Sequence, residues 1–230
     1  HGKVLRSPHA HARIKSIDTT RAEALPGVHA VITSADFPEV SGRLADLAEG
    51  SMHNMGFLSR NIMAREKALY KGHAVAAVAA ASLHLAEEAM ALIEVNYETL
   101  PTVINAREAM KEGAPLLHER LASLANPLLR PGGFLDDDDP GRGSNIANHF
   151  EYHLGDVGKG FAEAGVIVEH ETSTSAIHQG YIEPHTATAQ WQAGGSLTIW
   201  SSSQGHFGVR ELTGRILGIP ISRIKVVPME

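Results

Sequence analysis

The sequence predicts an α+β chain in two unequal parts, and three observations carry the prediction. A strand, helix, strand pattern occurs twice within residues 1–106. A proline- and glycine-rich, acid-bearing stretch fills 107–147, and residues 148–230 close on a strand, a polar turn, a helix and a further strand.

Residues 12–18 alternate as Ala-Arg-Ile-Lys-Ser-Ile-Asp, a half-buried strand. Asp18 or Thr19 can cap a short helix reaching Leu25, and Pro26-Gly27 turns the chain into a second strand at 28–33. Residues 37–66 hold Met52, Met55 and Phe57 among glycines and polar residues and read as a long loop. The Ala/Val run at 74–80 is a buried strand. Ser82 then caps a helix in which Leu85, Ala89 and Leu92 share one stripe, and 93–97 returns as a strand before Leu100-Pro101. The two units are expected to form one compact α+β layer.

Residues 107–147 contain Pro115, Pro127, Pro131, Gly132-Gly133, four successive aspartates at 136–139 and Gly141-Arg142-Gly143, which reads as a surface linker and a domain boundary. The acidic run is a solvated loop, because adjacent carboxylates cannot all face one ion. In 148–230 the pattern gives a start at 149–153, a short helix at Phe161-Ala162, strands at 166–172, 187–192 and 197–201, and a last strand at 224–230 whose continuation is expected past Glu230.

A 230-residue chain with 43% hydrophobic and 20% charged residues can bury a core. The net charge of −6, without any basic run, argues against a nucleic-acid surface. No apolar run reaches the ~18 residues of a membrane span. The absence of cysteine excludes disulfides and thiolate-held clusters within these residues, and a cytoplasmic setting is expected. Fourteen histidines invite a metal reading. His9 and His11, two apart on an expected strand face, and His178 and His185, flanking Tyr181-Ile182-Glu183, both lack the i, i+4 spacing of a compact zinc motif and are read as structural or surface residues.

The turn Ser201-Ser202-Ser203-Gln204-Gly205-His206-Phe207 carries the strongest chemical signal. Before it, 196–201 alternates as a strand. After it, Val209, Leu212 and Ile216 recur at helical spacing, with Gly218 and Pro220 as stop signals. A helix start presents unpaired N–H groups, and Gln204 would add an uncharged amide donor beside them. From the residues alone, Gln204 either closes the loop by bonding backbone or serves a ligand.

Three stretches together resemble a known family: Arg6-Ser7-Pro8-His9-Ala10-His11-Ala12-Arg13-Ile14 with Asp18, then Leu25-Pro26-Gly27-Val28, then Tyr70-Lys71-Gly72-His73-Ala74-Val75-Ala76. They look like the a/b hammerhead domain that opens the molybdenum-binding subunit of the xanthine dehydrogenase and aldehyde oxidase family. His178-Gln179-Gly180-Tyr181-Ile182-Glu183-Pro184 and Trp200-Ser201-Ser202-Ser203-Gln204 resemble the start of its molybdopterin-binding region.

The resemblance implies a hammerhead domain at 1–106, a linker at 107–147 and the first part of an α+β molybdopterin-binding domain at 148–230. It implies a molybdenum–molybdopterin dinucleotide, held mainly by residues outside this chain, in an oxidoreductase that hydroxylates a carbon centre with water-derived oxygen. Gln204 would donate a hydrogen bond to an oxo ligand on the metal, with Gly205, His206 and Phe207 beside the cofactor. Glu183 matches a family glutamate and is expected to hold its corner through backbone N–H groups.

The family's glycine-rich loop and its general-base glutamate would follow Glu230. The isolated chain is therefore expected to be inactive and free of cofactor, as a truncated piece or one chain of a split subunit. Implied partners are the remainder of the molybdenum subunit, iron–sulfur and flavin subunits carrying 2Fe-2S and FAD, and a small-molecule substrate. A non-catalytic scaffold or subunit-interaction protein with the hammerhead architecture is the alternative.

Overall fold

In the computed structural model, residues 1–40, 44–46, 52–119, 145–146, 154–182 and 185–229 are described. The chain is α+β, as expected. The first region holds β1 (Gly2–Arg6), β2 (Ala12–Asp18), α1 (Thr20–Glu23), β3 (Val28–Thr33), β4 (Leu44–Asp46), β5 (Met52–Asn54), α2 (Met55–Ile62), β6 (Lys67–Ala68), β7 (Ala74–Ala80), α3 (Leu83–Ala91), β8 (Glu94–Thr99) and α4 (Ala106–Ala109). The second holds α5 (Val157–Glu163), β9 (Ala187–Trp191), β10 (Leu197–Ser201), α6 (His206–Leu217) and β11 (Ile224–Pro228).

The two expected strand–helix–strand units exist, but their strands do not form one layer. β7 is the centre of the sheet β1-β7-β3, whereas β2 is the centre of β6-β2-β8, and all four pairings are antiparallel. Each unit thus begins in one sheet and ends in the other, with α1 or α3 as the crossing. Tertiary pairing decides this, and periodicity along one strand cannot report it.

The Ala/Val composition of β7 has a packing cause. Val75, Ala76 and Val78 are buried, and the core around β7 gathers Ala22 of α1, Ala86 and Ala89 of α3, and Ile93. Small side chains let both helices approach the sheet closely. Ser82 caps α3 as expected, its hydroxyl accepting from Leu85 N at 3.2 Å. At α1 the Asp18 carboxylate accepts from Thr20 N at 2.9 Å, while Thr19 makes no cap bond.

Three expectations are corrected. Residues 37–66 are not a loop: they contain the β4–β5 pair and the two-turn helix α2. Residues 166–172 form no strand, because no described strand takes up their backbone groups, and 154–182 lie exposed throughout. His9 and His11 do not share a strand face, since they precede β2. His9 meets Tyr97 edge-on at 5.0 Å, and the buried His11 donates from Nδ1 to Pro101 O at 2.8 Å.

Of the expected linker, 107–119 and 145–146 are described, and polar bonds tie them back. Lys67 Nζ donates to Glu119 at 2.6 Å. The Asn145 side chain donates to Ala109 O and Pro115 O at 3.0 Å each and accepts from Leu117 N at 3.1 Å. The aspartates 136–139, the segment 149–153 and Glu183 lie outside the described residues.

In the second region β10 pairs antiparallel with β9 and parallel with β11, so β10, α6 and β11 form one right-sized β-α-β crossover. Leu197, Ile199 and Ile224 form its small core. Gly218, at φ 68°, adopts the left-handed conformation that ends α6.

Candidate functional site

The polar turn stands where ligand chemistry concentrates in β-α-β units, at the carboxyl end of β10 and the start of its crossover helix. Ser201 is the last residue of β10, and its carbonyl accepts from Met229 N at 3.1 Å, which fixes where the turn departs. Ser203 then folds the turn: its hydroxyl accepts from Gly205 N at 3.1 Å. Gly205 O accepts from Val209 N at 3.0 Å, opening α6. No side chain caps this end. The first N–H groups of the helix have no acceptor within it and carry the positive end of its dipole.

Gln204 is exposed, and its amide has no hydrogen-bond partner among the described residues. The loop-closing task that a glutamine could have performed here is done by Ser203. Sequence reasoning quoted Ser203 without assigning it that role, although a serine two residues ahead of a helix-opening glycine is the ordinary signal of such a turn.

Gly205 faces open space, since an added Cβ would meet no atom within 4 Å. Phe207 is 78% exposed, an apolar ring at a helix start with nothing covering it. His206 and Phe207 line a cleft of about 390 Å³ with Arg210, Ile224, Lys225 and Val226. His206 Nδ1 is buried without a partner. Arg210 spends Nε and Nη2 on Ile221 O at 2.9 and 2.7 Å, locking α6 onto the turn before β11. The structure therefore brings His206 and Phe207 into one cleft, while Gln204 stands in the solvent beside it.

A second cleft, of about 310 Å³, lies in the first region between Phe57, Arg60, Arg65, Lys67, His118 and Glu119. Its polar groups largely answer one another. The Lys67 ammonium holds the Glu119 carboxyl below its usual range, and burial, then Lys67 and Arg60, push the His118 imidazole down. Arg65 donates to Phe37 O and Pro38 O at 3.4 and 3.2 Å. This network ties 116–119 to the first region and was not foreseen, because the loop reading of 37–66 hid α2.

Tyr181 meets His178 edge-on and His185 at a tilt, with ring centroids 5.5 and 5.1 Å apart. Among the described residues no group of three or more His, Asp or Glu could hold a metal ion, and no helix is long and apolar enough to cross a membrane.

Comparisons with known proteins match two stretches of the chain to two family descriptions. Residues 1–101 match the family described as "Aldehyde oxidase and xanthine dehydrogenase, a/b hammerhead domain", and residues 139–230 match "Molybdopterin cofactor-binding domain". The chain is 33% identical to the carbon monoxide dehydrogenase large chain of Afipia carboxidovorans over 238 residues, covering 98% of this chain and 26% of that protein. It is 34% identical to the probable hypoxanthine oxidase XdhD of Escherichia coli K12 over 245 residues, covering 98% and 24%. The solved structure of the Cu,Mo-CO dehydrogenase in its carbon monoxide reduced state superposes with TM-score 0.72 at 32% identity, covering all of this chain and 27% of that one. The chain spans about a quarter of the length of these relatives.

Proposed function

The chain belongs to the aldehyde oxidase and xanthine dehydrogenase family, and on that premise we propose that it forms part of a molybdenum hydroxylase-type oxidoreductase in which Gln204 faces the cofactor. The observation that carries this reading is the unpartnered amide of Gln204 at the start of the crossover helix, in a loop that Ser203 already closes. A side chain relieved of structural duty, beside free N–H groups, suits an oxygen-bearing ligand.

The residues present fit such a group. Gly205 leaves its space open, and Phe207 offers an uncovered apolar ring. When bound, a molybdenum–molybdopterin dinucleotide supplies the redox chemistry that hydroxylates a carbon centre with oxygen drawn from water. Toward it, Gln204 would donate its amide N–H to an oxygen ligand of the metal. A neutral donor favours growing negative charge there without fixing a counter-charge that would resist turnover. Gly205 lets the backbone approach. His206 and Phe207 line the cleft beside it, and the exposed Phe207 ring would offer the bound group an apolar contact.

The chain has no cysteine, so the thiolates of any 2Fe-2S carrier come from another domain or chain, and we place an FAD carrier there as well. With Gln204, Gly205 and 154–182 all open to solvent, the chain on its own is proposed to turn nothing over, and its substrate is a small molecule held largely by other residues. The electron paramagnetic resonance signal of the reduced, cofactor-loaded enzyme tests the reading. Gln204→Ala at equal metal content shifts that signal if the amide serves the metal's ligand, and an unchanged signal removes Gln204 from the site.

A further inference from the structure

The helix that carries the Gln204 loop is buried on two opposite sides. Successive residues of a helix are 100° apart, so Gly214 points away from the stripe formed by Leu212 and Ile216. On its own side Gly214 lies against the turn before β11: a Cβ there would stand 2.9 Å from Ile219 O and 2.9 Å from Ile221 Cγ2. On the other side Ile216, 6% exposed, and Leu212 pack against Met55, 4% exposed, and Leu58, both of α2, together with Phe37 and Val40. The Arg65 guanidinium holds Phe37 O and Pro38 O, fixing that second wall. α6 is thus clamped between its own sheet and a helix contributed by the hammerhead region.

We propose that Met55 and Leu58 are positioning residues for the Gln204 loop, so that the hammerhead region sets where α6 begins. The inference rests on the reading of Gln204 given above. Ile216 lies ten residues from the first residue of α6, roughly 15 Å along the axis. Loss of the α2 wall lets the helix tilt about its Gly214 contact, and a tilt of a few degrees moves the loop by about 1 Å. A misplacement of that size costs up to about 10²-fold in rate when a catalytic group must be held in place. The contact is apolar and remote from the turn, so it acts on where Gln204 stands and on nothing that Gln204 bonds.

The test combines Met55→Ala, Met55→Leu and Leu58→Ala in the cofactor-loaded enzyme, with amide hydrogen exchange at 206–209 as a second readout. Met55→Ala is expected to lower kcat about tenfold at unchanged KM and molybdenum content and to speed exchange at 206–209. Met55→Leu, of similar volume, restores both. Leu58→Ala moves both readouts in the same direction, and it decides the matter if Met55→Ala does not fold. A lowered unfolding midpoint with unchanged kcat and unchanged exchange at 206–209 would overturn the proposal. Gln204→Ala separates the two ideas: full turnover in that variant with faster exchange in Met55→Ala removes the reading of Gln204 and leaves the clamp, whereas unchanged exchange removes the clamp whatever Gln204→Ala does.

Discussion

The Ser203 hydroxyl accepts the Gly205 backbone N–H at 3.1 Å, so the turn ahead of α6 is closed without any help from the glutamine between them. On the proposed reading of Gln204, stability and function separate at neighbouring positions. Ser203→Ala removes the bond and is expected to cost about 0.5–1.5 kcal/mol, the usual net worth of such a bond. Gln204→Ala is expected to stay within about 0.5 kcal/mol of the parent, as surface changes away from packed features do. Denaturant unfolding of the two variants checks the contrast, and a larger loss for Gln204→Ala would mean that its side chain holds the loop after all.

His73 makes the first region sensitive to acid. The side chain is fully buried, accepts from Leu69 N at 3.2 Å through Nδ1, donates through Nε2 to the carbonyls of Arg60 and Asn61 at 3.2 Å, and stacks on Tyr70. Burial pushes its imidazole below the ordinary histidine range, and the two carbonyls pull it part of the way back. The unfolded chain then binds the proton more readily than the folded one. Stability from this group is complete above about pH 6.5 and is lost as pH falls from there toward the lowered folded value. His73→Leu leaves Leu69 N–H without an acceptor and is expected to cost about 1–3 kcal/mol at pH 7.5. Urea unfolding of parent and variant between pH 7.5 and 5 checks this: the difference between them shrinks with acid, and a constant difference contradicts it.

Gly214 is required by contact. In Gly214→Ala the new methyl meets the Ile219 carbonyl, which belongs to the backbone and cannot swing aside. The expected loss is about 1–3 kcal/mol from overpacking, against the gain of up to about 1 kcal/mol that alanine brings to a helix interior. Thermal unfolding measures the balance, and a stabilised variant would show that α6 does not lie where described.

Much of the fold was legible because local signals and tertiary demands agreed. The alternation at 12–18, the serine cap at Ser82, the Gly218 stop and the strand–turn–helix around Gln204 all belong to their own neighbourhoods in the chain. What stayed hidden depends on distant partners. β1 is a strand because β7 offers it an edge, and α2 is a helix although Gly56, Ser59 and Asn61 weaken its pattern, because the buried Met55 and the half-buried Leu58 pack with Ile216 and Leu212. The opposite error occurred at 166–172, where Val166, Ile167 and Val168 suggest a strand that no described neighbour completes. At the turn, the sequence marks 204–207, of which the structure brings His206 and Phe207 into one cleft; the role of Ser203 was not assigned from it, and the cations Arg210 and Lys225 beside the cleft carry no local signal.

Limited proteolysis addresses the domain organisation that the composition suggests. The bonds of Asn145 to 109–117 and of Lys67 to Glu119 tie down the ends of the expected linker. The first cuts are therefore expected within 120–144, where the prolines, glycines and aspartates concentrate. Early cuts within β3 or β7 would contradict the assignment of 1–106 as one folded unit.

The central claim is that Gln204 serves the molybdenum cofactor and does not close its own loop, and turnover of the cofactor-loaded Gln204 variants at measured molybdenum occupancy tests it most directly. Removing one preorganised donor from a centre that gathers negative charge costs about 10²–10³ in turnover. Gln204→Ala is predicted to lose activity on that scale with normal molybdenum content and normal unfolding midpoint, and Gln204→Glu to lose more, because a carboxylate sets negative charge against the oxo ligand. Near-parental turnover in both variants, with occupancy confirmed, would contradict the account.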